Sequence, residues 1–108
     1  MIELEDICIN YKAVLRDALV KMDKNAQGLL FVVDDFKLLG VITDGDVRRA
    51  IISGKTVDEP LAEIYNQDCQ YLNQAASIEC IQGSLNNKIK VIPLVDDDKN
   101  IVDFSSIY

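Results

Sequence analysis

The sequence contains no histidine. Histidine is the commonest general base and completes the usual serine and cysteine nucleophile pairings, so its absence removes many enzyme mechanisms. Cysteine is sparse as well: Cys8, Cys69 and Cys80 form no Cys-x-x-Cys pair, and a zinc site would need an unusual ligand set. We therefore expect reduced thiols that pack as small apolar groups, no metal site and no catalytic residue.

Long apolar runs and basic clusters are also missing. No run approaches the roughly 18 residues that a membrane-spanning helix needs. Residues 1–6 are acidic, whereas a secretory signal begins with basic residues. The net charge of -7 argues against non-specific nucleic-acid binding, which requires a basic surface. We expect a cytoplasmic protein with neither a membrane nor a nucleic acid as a partner.

One pattern occurs twice in the 108 residues. Residues 29–35 and 91–97 each form an apolar run that ends in aspartates, and a second apolar run follows each of them. Such runs, bounded by turn residues, predict two strand-turn-strand hairpins. Because an internal repeat determines the predicted fold, we interpret the sequence as two copies of one structural unit.

A helix is predicted before each hairpin, because apolar residues recur there at helical spacing. These residues are Val14, Leu15, Ala18, Leu19 and Met22 in the first unit, and Ile78, Ile81 and Leu85 in the second. Asn10 and Asn73 lie shortly before these helices and are expected to cap them. Short strands are predicted still earlier, at residues 7–9 and 71–72.

The first unit continues beyond its hairpin. Residues 43–46 predict a turn that opens a helix with Val47, Ala50 and Ile51 on its apolar face, and residues 53–54 end it. A linker helix is expected over Leu61, Ile64 and Tyr65, with Pro60 in its first turn.

The predicted fold class is α/β (α+β), with two pseudosymmetric repeats of strand, helix, strand, strand and helix. We place the first repeat at residues 1–57, and the linker helix with a second, incomplete repeat at residues 58–108. The second repeat stops before its final helix. Ile107 and Tyr108 carry no stop signal, so we expect the chain to be cut from a longer one.

The segment from Gly40 to Arg49 has the composition of an anion site. A helix N-terminus carries unpaired N–H groups and favours anions, and the Thr43 hydroxyl could donate to a phosphate there. The Asp46 carboxylate suits the paired hydroxyls of a ribose, and Arg48 and Arg49 could bind phosphates through forked N–H donors. Gly45 allows close approach of a ligand to the backbone.

Two other interpretations use the same residues. In the structural one, Thr43 or Asp44 caps the helix, Asp46 complements its dipole and the arginines are solvated. In the enzymatic one, Asp44 and Asp46 hold magnesium, although no base or nucleophile accompanies them.

The run Gly40-Val41-Ile42-Thr43, followed by Asp46, resembles the motif of the CBS domain. That family occurs as tandem pairs called Bateman modules, with the unit described above. The resemblance implies that Asp46 contacts ribose and Thr43 contacts phosphate of an adenine nucleotide such as AMP, ADP or ATP. It further implies that ligand-site positions fall near Cys8, Leu30 and Phe31. We also expect Ile42, which matches the motif, and Arg48, through its forked donors, to be nucleotide-binding residues. The second repeat keeps Pro93 but has Asp103 for the glycine and Ser106 for the threonine.

Residues 43–54 and 57–60 are similar to CBS pairs of two bacterial enzyme classes. One is a sugar-phosphate nucleotidyltransferase, in which the pair precedes the catalytic domain. The other is the arabinose-phosphate isomerase, in which the pair follows it. Met1 favours the nucleotidyltransferase arrangement, with a catalytic domain downstream in the same chain.

The resemblance implies a regulatory module that is not itself an enzyme and requires no cofactor. It binds an adenine nucleotide or a related ligand and forms a homodimer. The alternative is a ligand-free dimerisation or assembly module, since a degenerate second repeat fits a loss of sensing.

Overall fold

The computed structural model describes residues 2–106, which form two three-stranded sheets and three α-helices. The elements of the first repeat are β1 (Cys8–Asn10), α1 (Leu15–Asn25), β2 (Leu29–Asp34), β3 (Lys37–Thr43) and α2 (Asp44–Ile52). The second contains β4 (Leu72–Asn73), α3 (Ile78–Ser84), β5 (Val91–Val95) and β6 (Ile101–Ser106). The predicted mixed fold class and the repeated strand-helix-strand-strand order are confirmed. None of the helices within residues 2–106 is long and apolar enough to cross a membrane.

The chain divides into two compact units. The first comprises residues 2–35 and Leu39–Cys69, and the second comprises Phe36–Leu38 and residues 70–106. The first sheet has the order β1-β2-β3, with β1 parallel to β2 and Cys8 opposite Phe31. The second has the order β4-β5-β6, with Leu72 opposite Leu94 in its parallel pair.

Helix α1 packs on the core of the first unit as its apolar spacing predicts. Leu15 and Ala18 are 0% exposed and Met22 is 5% exposed. At the start of the helix, the Asp17 carboxylate accepts a hydrogen bond of 3.2 Å from the Val14 amide. At its end, Ala26 adopts a left-handed conformation, with φ 58°, and donates to the Met22 carbonyl. The core also contains Ile9, Leu30, Val32, Ile42, Val47 and Leu61.

The expectation that Asn10 and Asn73 cap helices is wrong. The Asn10 side chain accepts from the Lys12 amide at 2.8 Å, and that of Asn73 accepts from the Ala75 amide at 2.9 Å. Each asparagine therefore closes a turn directly after a strand. Both lie too far before the helix to reach its first amides, and α3 is capped by Ser77 instead.

The predicted linker helix is only a single 3-10 turn, Leu61–Glu63, which Pro60 precedes. It ends early because Asn66 exchanges two backbone hydrogen bonds with Val41 of β3, of 2.8 and 2.9 Å. A Cβ atom on Gly40 would collide with the Asn66 carbonyl oxygen and would lie 2.8 Å from the Tyr65 ring. Glycine at position 40 thus lets the linker approach the strand.

In the second unit, burial is concentrated in the sheet. All five residues of β5 are buried. Helix α3 begins at Ile78 as predicted but stops at Ser84, and none of its residues is buried. Ile78 itself is 73% exposed, whereas Ile81 and Leu85 are only partly buried, so the predicted apolar face of α3 is incompletely covered by the described residues. No helix equivalent to α2 follows β6 within the described residues, and Ile107 and Tyr108 lie outside them.

Candidate ligand site at the start of helix α2

Four chain segments meet at one edge of the first sheet. The Phe31 amide of β2 donates to the Ile7 carbonyl beside β1, at 2.8 Å. The Asp44 amide, at the start of α2, donates to the Gly28 carbonyl just before β2, at 3.0 Å. Gly28 has φ +70°, which glycine adopts without strain. The starts of β1, β2 and α2 and the end of β3 therefore lie at the same edge.

Thr43 and Asp46 form a reciprocal cap on α2. The Thr43 hydroxyl oxygen accepts from the Asp46 amide at 3.2 Å. One carboxylate oxygen of Asp46, Oδ2, accepts from the Thr43 amide and from the Thr43 hydroxyl, both at 3.0 Å. The capping role of the structural interpretation is therefore present, and the helix begins at Asp44 rather than near Asp46.

Asp46 differs from the other acidic residue at this helical position. Asp17 occupies the same place in α1 and accepts there from the Val14 amide. Asp46 in addition receives Nη2 of Arg49 on its second oxygen, Oδ1, at 2.9 Å. Its side chain is 18% exposed, so the carboxylate is largely shielded while both of its oxygens accept hydrogen bonds.

Gly45 makes room for this ion pair. A Cβ atom at Gly45 would lie 3.1 and 3.2 Å from the two terminal nitrogens of Arg49. The guanidinium therefore lies against the backbone of the first helical turn. Arg48, the arginine predicted as a ligand contact, is exposed, and no ion pair forms between it and the described residues.

An open pocket of about 260 Å³ adjoins Asp46 and Arg49. Its other lining residues come from the end of α2 and from the linker: Ala50, Ser53, Lys55, Glu63 and Ile64. Asp46 thus forms part of a pocket wall. Sequence reasoning missed Lys55 and Glu63, because only the path of the linker brings them here. The Asp46–Arg49 pair could have been found from its i, i+3 spacing.

The remaining predicted positions are divided between the core and the sheet edge. Leu30 and Ile42 point into the hydrophobic core, so a ligand at this edge could reach only their backbone groups. Phe31 is 1% exposed and lies opposite Cys8. Cys8 is half-buried, and this burial raises the pKa of its thiol to about 11 despite the nearby Lys21 ammonium. The thiol therefore stays neutral at physiological pH.

Lys21 is held near the same strand by backbone groups. Its ammonium donates to the Cys8 carbonyl at 2.6 Å and to the Glu5 carbonyl at 2.8 Å. Across residues 2–106, no three histidine, cysteine, aspartate or glutamate side chains cluster in a way that could hold a metal ion.

Comparison with known families and proteins identifies part of the chain. Residues 3–53 match the model of the CBS domain family. This span includes the sheet edge, Thr43, Asp46 and Arg49. An Escherichia coli protein named arabinose 5-phosphate isomerase GutQ is 32% identical over 88 residues, which are 80% of this chain and 27% of that protein. The chain thus spans about a quarter of the length of the curated relatives it matches.

Solved structures share the fold over nearly the whole chain. The AcuB protein of Vibrio cholerae superposes with a TM-score of 0.82 at 25% identity, covering 98% of this chain and 84% of that one. The CBS domain protein PAE2072 of Pyrobaculum aerophilum, whose structure is a complex with AMP, gives a TM-score of 0.73 at 19% identity. That match covers 94% of this chain and 79% of the other.

Proposed function

We propose that the chain is a tandem CBS module that binds an adenine nucleotide, or a related phosphorylated ligand, at Thr43 and Asp46. The module itself is regulatory rather than catalytic. Residues 1–57 form its first repeat, and residues 58–108 form the linker and the second repeat. Binding biases a catalytic domain in the same protein, because a ligand that prefers one conformation shifts the population toward it.

The observation that carries this proposal is the shielded Asp46 carboxylate at a pocket wall. Within about one turn it has a hydroxyl donor, Thr43, and a guanidinium, Arg49. A ribose diol needs acceptors and a phosphate needs donors, and both are present here. The AMP complex of a protein with the same fold supports an adenine nucleotide as the ligand.

The curated relatives indicate which catalytic domain could accompany the module in the same protein. The named curated relative is an arabinose 5-phosphate isomerase, of which this chain matches about a quarter. This supports a sugar-phosphate isomerase as the catalytic partner in cis, rather than the nucleotidyltransferase that Met1 favoured. The role of the module would be the same in either setting.

An assembly function is the second candidate, and the uncovered apolar side chains favour it. Ile52 at the end of α2 is 78% exposed and Ile78 of α3 is 73% exposed. Exposed apolar residues that form a contiguous patch are typical of a surface at which two copies associate. If the chain forms a homodimer and binds no nucleotide, the assembly function is favoured over sensing.

Calorimetric titration of AMP, ADP, ATP and GTP tests the sensing function. We expect an adenine nucleotide to bind the wild type, and Asp46→Asn to weaken it by about tenfold or more, because a charged acceptor is lost. Saturation at about 100 times the Kd should stabilise the fold by about 2.7 kcal/mol in a thermal-shift assay.

Asp17→Asn is the matched control. It changes the same residue type at the same helical position, where Asp17 accepts from the Val14 amide, and it lies outside the pocket. Affinity should be unchanged in this variant. Equal binding by wild type and Asp46→Asn would refute the assignment of Asp46.

A further inference from the structure

A second pocket lies in the first unit, between a 3-10 turn near the start of the chain and one flank of α1. Its volume is about 400 Å³, which is in the range of small-molecule sites. It is lined by the turn residues Glu5 and Asp6 and by Val20, Lys21 and Lys24 of the helix. None of these residues lines the pocket beside Asp46, and the proposed function uses none of them.

Two side chains of α1 hold the turn against the helix. The Lys21 ammonium donates to the Glu5 carbonyl at 2.8 Å and to the Cys8 carbonyl at 2.6 Å. The side-chain amide of Asn25, a residue only 5% exposed, donates to the Asp6 carbonyl at 3.0 Å. These contacts fix the walls of the pocket in advance, and a preformed site has less freedom to lose when a ligand binds.

Charged groups of both signs line this pocket without a partner. Within residues 2–106, neither the Lys24 ammonium nor the Glu5 carboxylate forms an ion pair or a hydrogen bond. The Lys21 ammonium has three donors, of which the two backbone carbonyls use two. The pocket therefore offers a free ammonium, one further N–H donor and a free carboxylate, and these groups do not neutralise each other.

Apolar side chains supply another part of the wall. Val20 is 49% exposed on α1, and Ile2 lines the pocket from the segment before the turn. An aliphatic group placed over them would remove apolar surface from water, which is favourable in proportion to the area covered. A simple anion or cation would leave this surface exposed and would face a charge of its own sign.

We propose that this pocket binds a free α-amino acid with an aliphatic side chain, such as leucine. The ammonium of the ligand pairs with the Glu5 carboxylate. Its carboxylate pairs with Lys24 and with the remaining N–H of Lys21, and its side chain covers Val20. A zwitterion of this kind leaves neither charged group of the pocket unpaired, and charge-assisted hydrogen bonds are the strong ones. The site does not depend on the nucleotide site.

Calorimetric titration of the 108-residue chain with leucine and three analogues tests the ligand class. Isoamylamine lacks the carboxylate, isocaproate lacks the ammonium and glycine lacks the side chain. We expect leucine to bind and each analogue to bind about tenfold more weakly, because a charge-assisted contact or the apolar contact is lost. Equal affinity for leucine and for either singly charged analogue would overturn the proposal, as would a lack of leucine binding.

Lys24→Gln and Glu5→Gln locate the site. Both residues are exposed, so the fold should persist, and each substitution should weaken leucine binding by about tenfold. Lys88→Gln and Glu79→Gln are the matched controls, because they change the same residue types at exposed positions of the second unit. These controls should bind leucine as the wild type does. If both pocket variants also bind leucine as the wild type does, the proposal is wrong.

AMP distinguishes this site from the proposed nucleotide site. Lys24→Gln should leave AMP affinity unchanged, because Lys24 lies outside the pocket that Asp46 lines. A loss of AMP affinity in Lys24→Gln with unchanged leucine affinity would assign the lysine to nucleotide binding and refute the amino-acid site. If the wild type binds leucine but not AMP, the amino-acid site is supported and only the nucleotide function is refuted.

Discussion

The two units repeat the same order of elements, yet they bury their helices very differently. Helix α1 buries Leu15, Ala18, Met22 and Asn25, whereas α3 buries none of its residues. The asparagine turn after the first strand is the same in both units, formed by Asn10 and by Asn73. The parallel strand pair is also kept.

The candidate-site residues also differ between the two units. The first unit has Gly40, Thr43 and Asp46, while the motif alignment places Asp103 and Ser106 at the positions of the glycine and the threonine in the second. Asp103 lies opposite Leu94 in a regular antiparallel pair, where no glycine is required. The comparison teaches that the same strand order forms with different residues at the candidate-site positions, because backbone pairing needs apolar spacing and turns rather than particular side chains.

The largest difference between the units should appear when an apolar side chain of α1 or α3 is truncated to alanine. Leu15→Ala removes a fully buried side chain and should lower the free energy of unfolding by about 2–5 kcal/mol. Ile78→Ala, at a residue 73% exposed, should change it by less than about 0.5 kcal/mol. Urea unfolding curves measure both. Equal effects would mean that α3 is covered in solution.

Two glycines should respond with opposite signs. Gly40→Ala places a methyl group against Asn66 and Tyr65 and should destabilise the first unit by about 1–3 kcal/mol. Gly83→Ala in α3 meets no atom within 4 Å and should stabilise by about 0.5–1 kcal/mol, because alanine has the higher helix propensity. Thermal unfolding of both variants checks the signs. A stable Gly40→Ala protein would show that the linker can move away.

Removal of a helix cap should lower the free energy of unfolding by similar amounts in the two units. Thr43→Ala and Ser77→Ala each remove an oxygen that accepts from an amide, that of Asp46 at 3.2 Å and that of Cys80 at 3.1 Å. Each should cost about 1 kcal/mol, and Thr43→Ser should restore most of the loss. A smaller cost for Ser77→Ala, measured by urea unfolding, would indicate that α3 contributes little to the cooperative fold.

The last prediction concerns Cys8 and is seen only at alkaline pH. Burial raises the pKa of its thiol to about 11, from an ordinary value of 9.0. As pH rises from 9 to 11 the unfolded chain loses this proton first, so stability is complete below pH 9 and falls through that interval. Cys8→Ala should flatten this fall in unfolding midpoints measured from pH 8 to 11. Cys80→Ala, which changes an exposed thiol, is the control and should leave the fall unchanged.

Much of the first unit could be predicted from local pattern. Helix α1, the hairpin strands and the end of α2 follow from apolar spacing and turn residues, which act over a few residues. Thr43 and Asp46 were identified because a cap and an anion site use the same residue types. The linker was mispredicted, since Leu61, Ile64 and Tyr65 have helical spacing but Asn66 pairs with β3. Such a contact between distant residues leaves no local signal.

The sequence by itself determined the repeated order of strands and helices and the position of the threonine and aspartate at the start of α2. Both depend on near neighbours in the chain. Only the tertiary structure decided that Leu30 and Ile42 are core residues, that the linker pairs with β3, and that none of the residues of α3 is buried. Burial and pairing depend on which distant segments come into contact, and no local pattern of residues reveals those contacts.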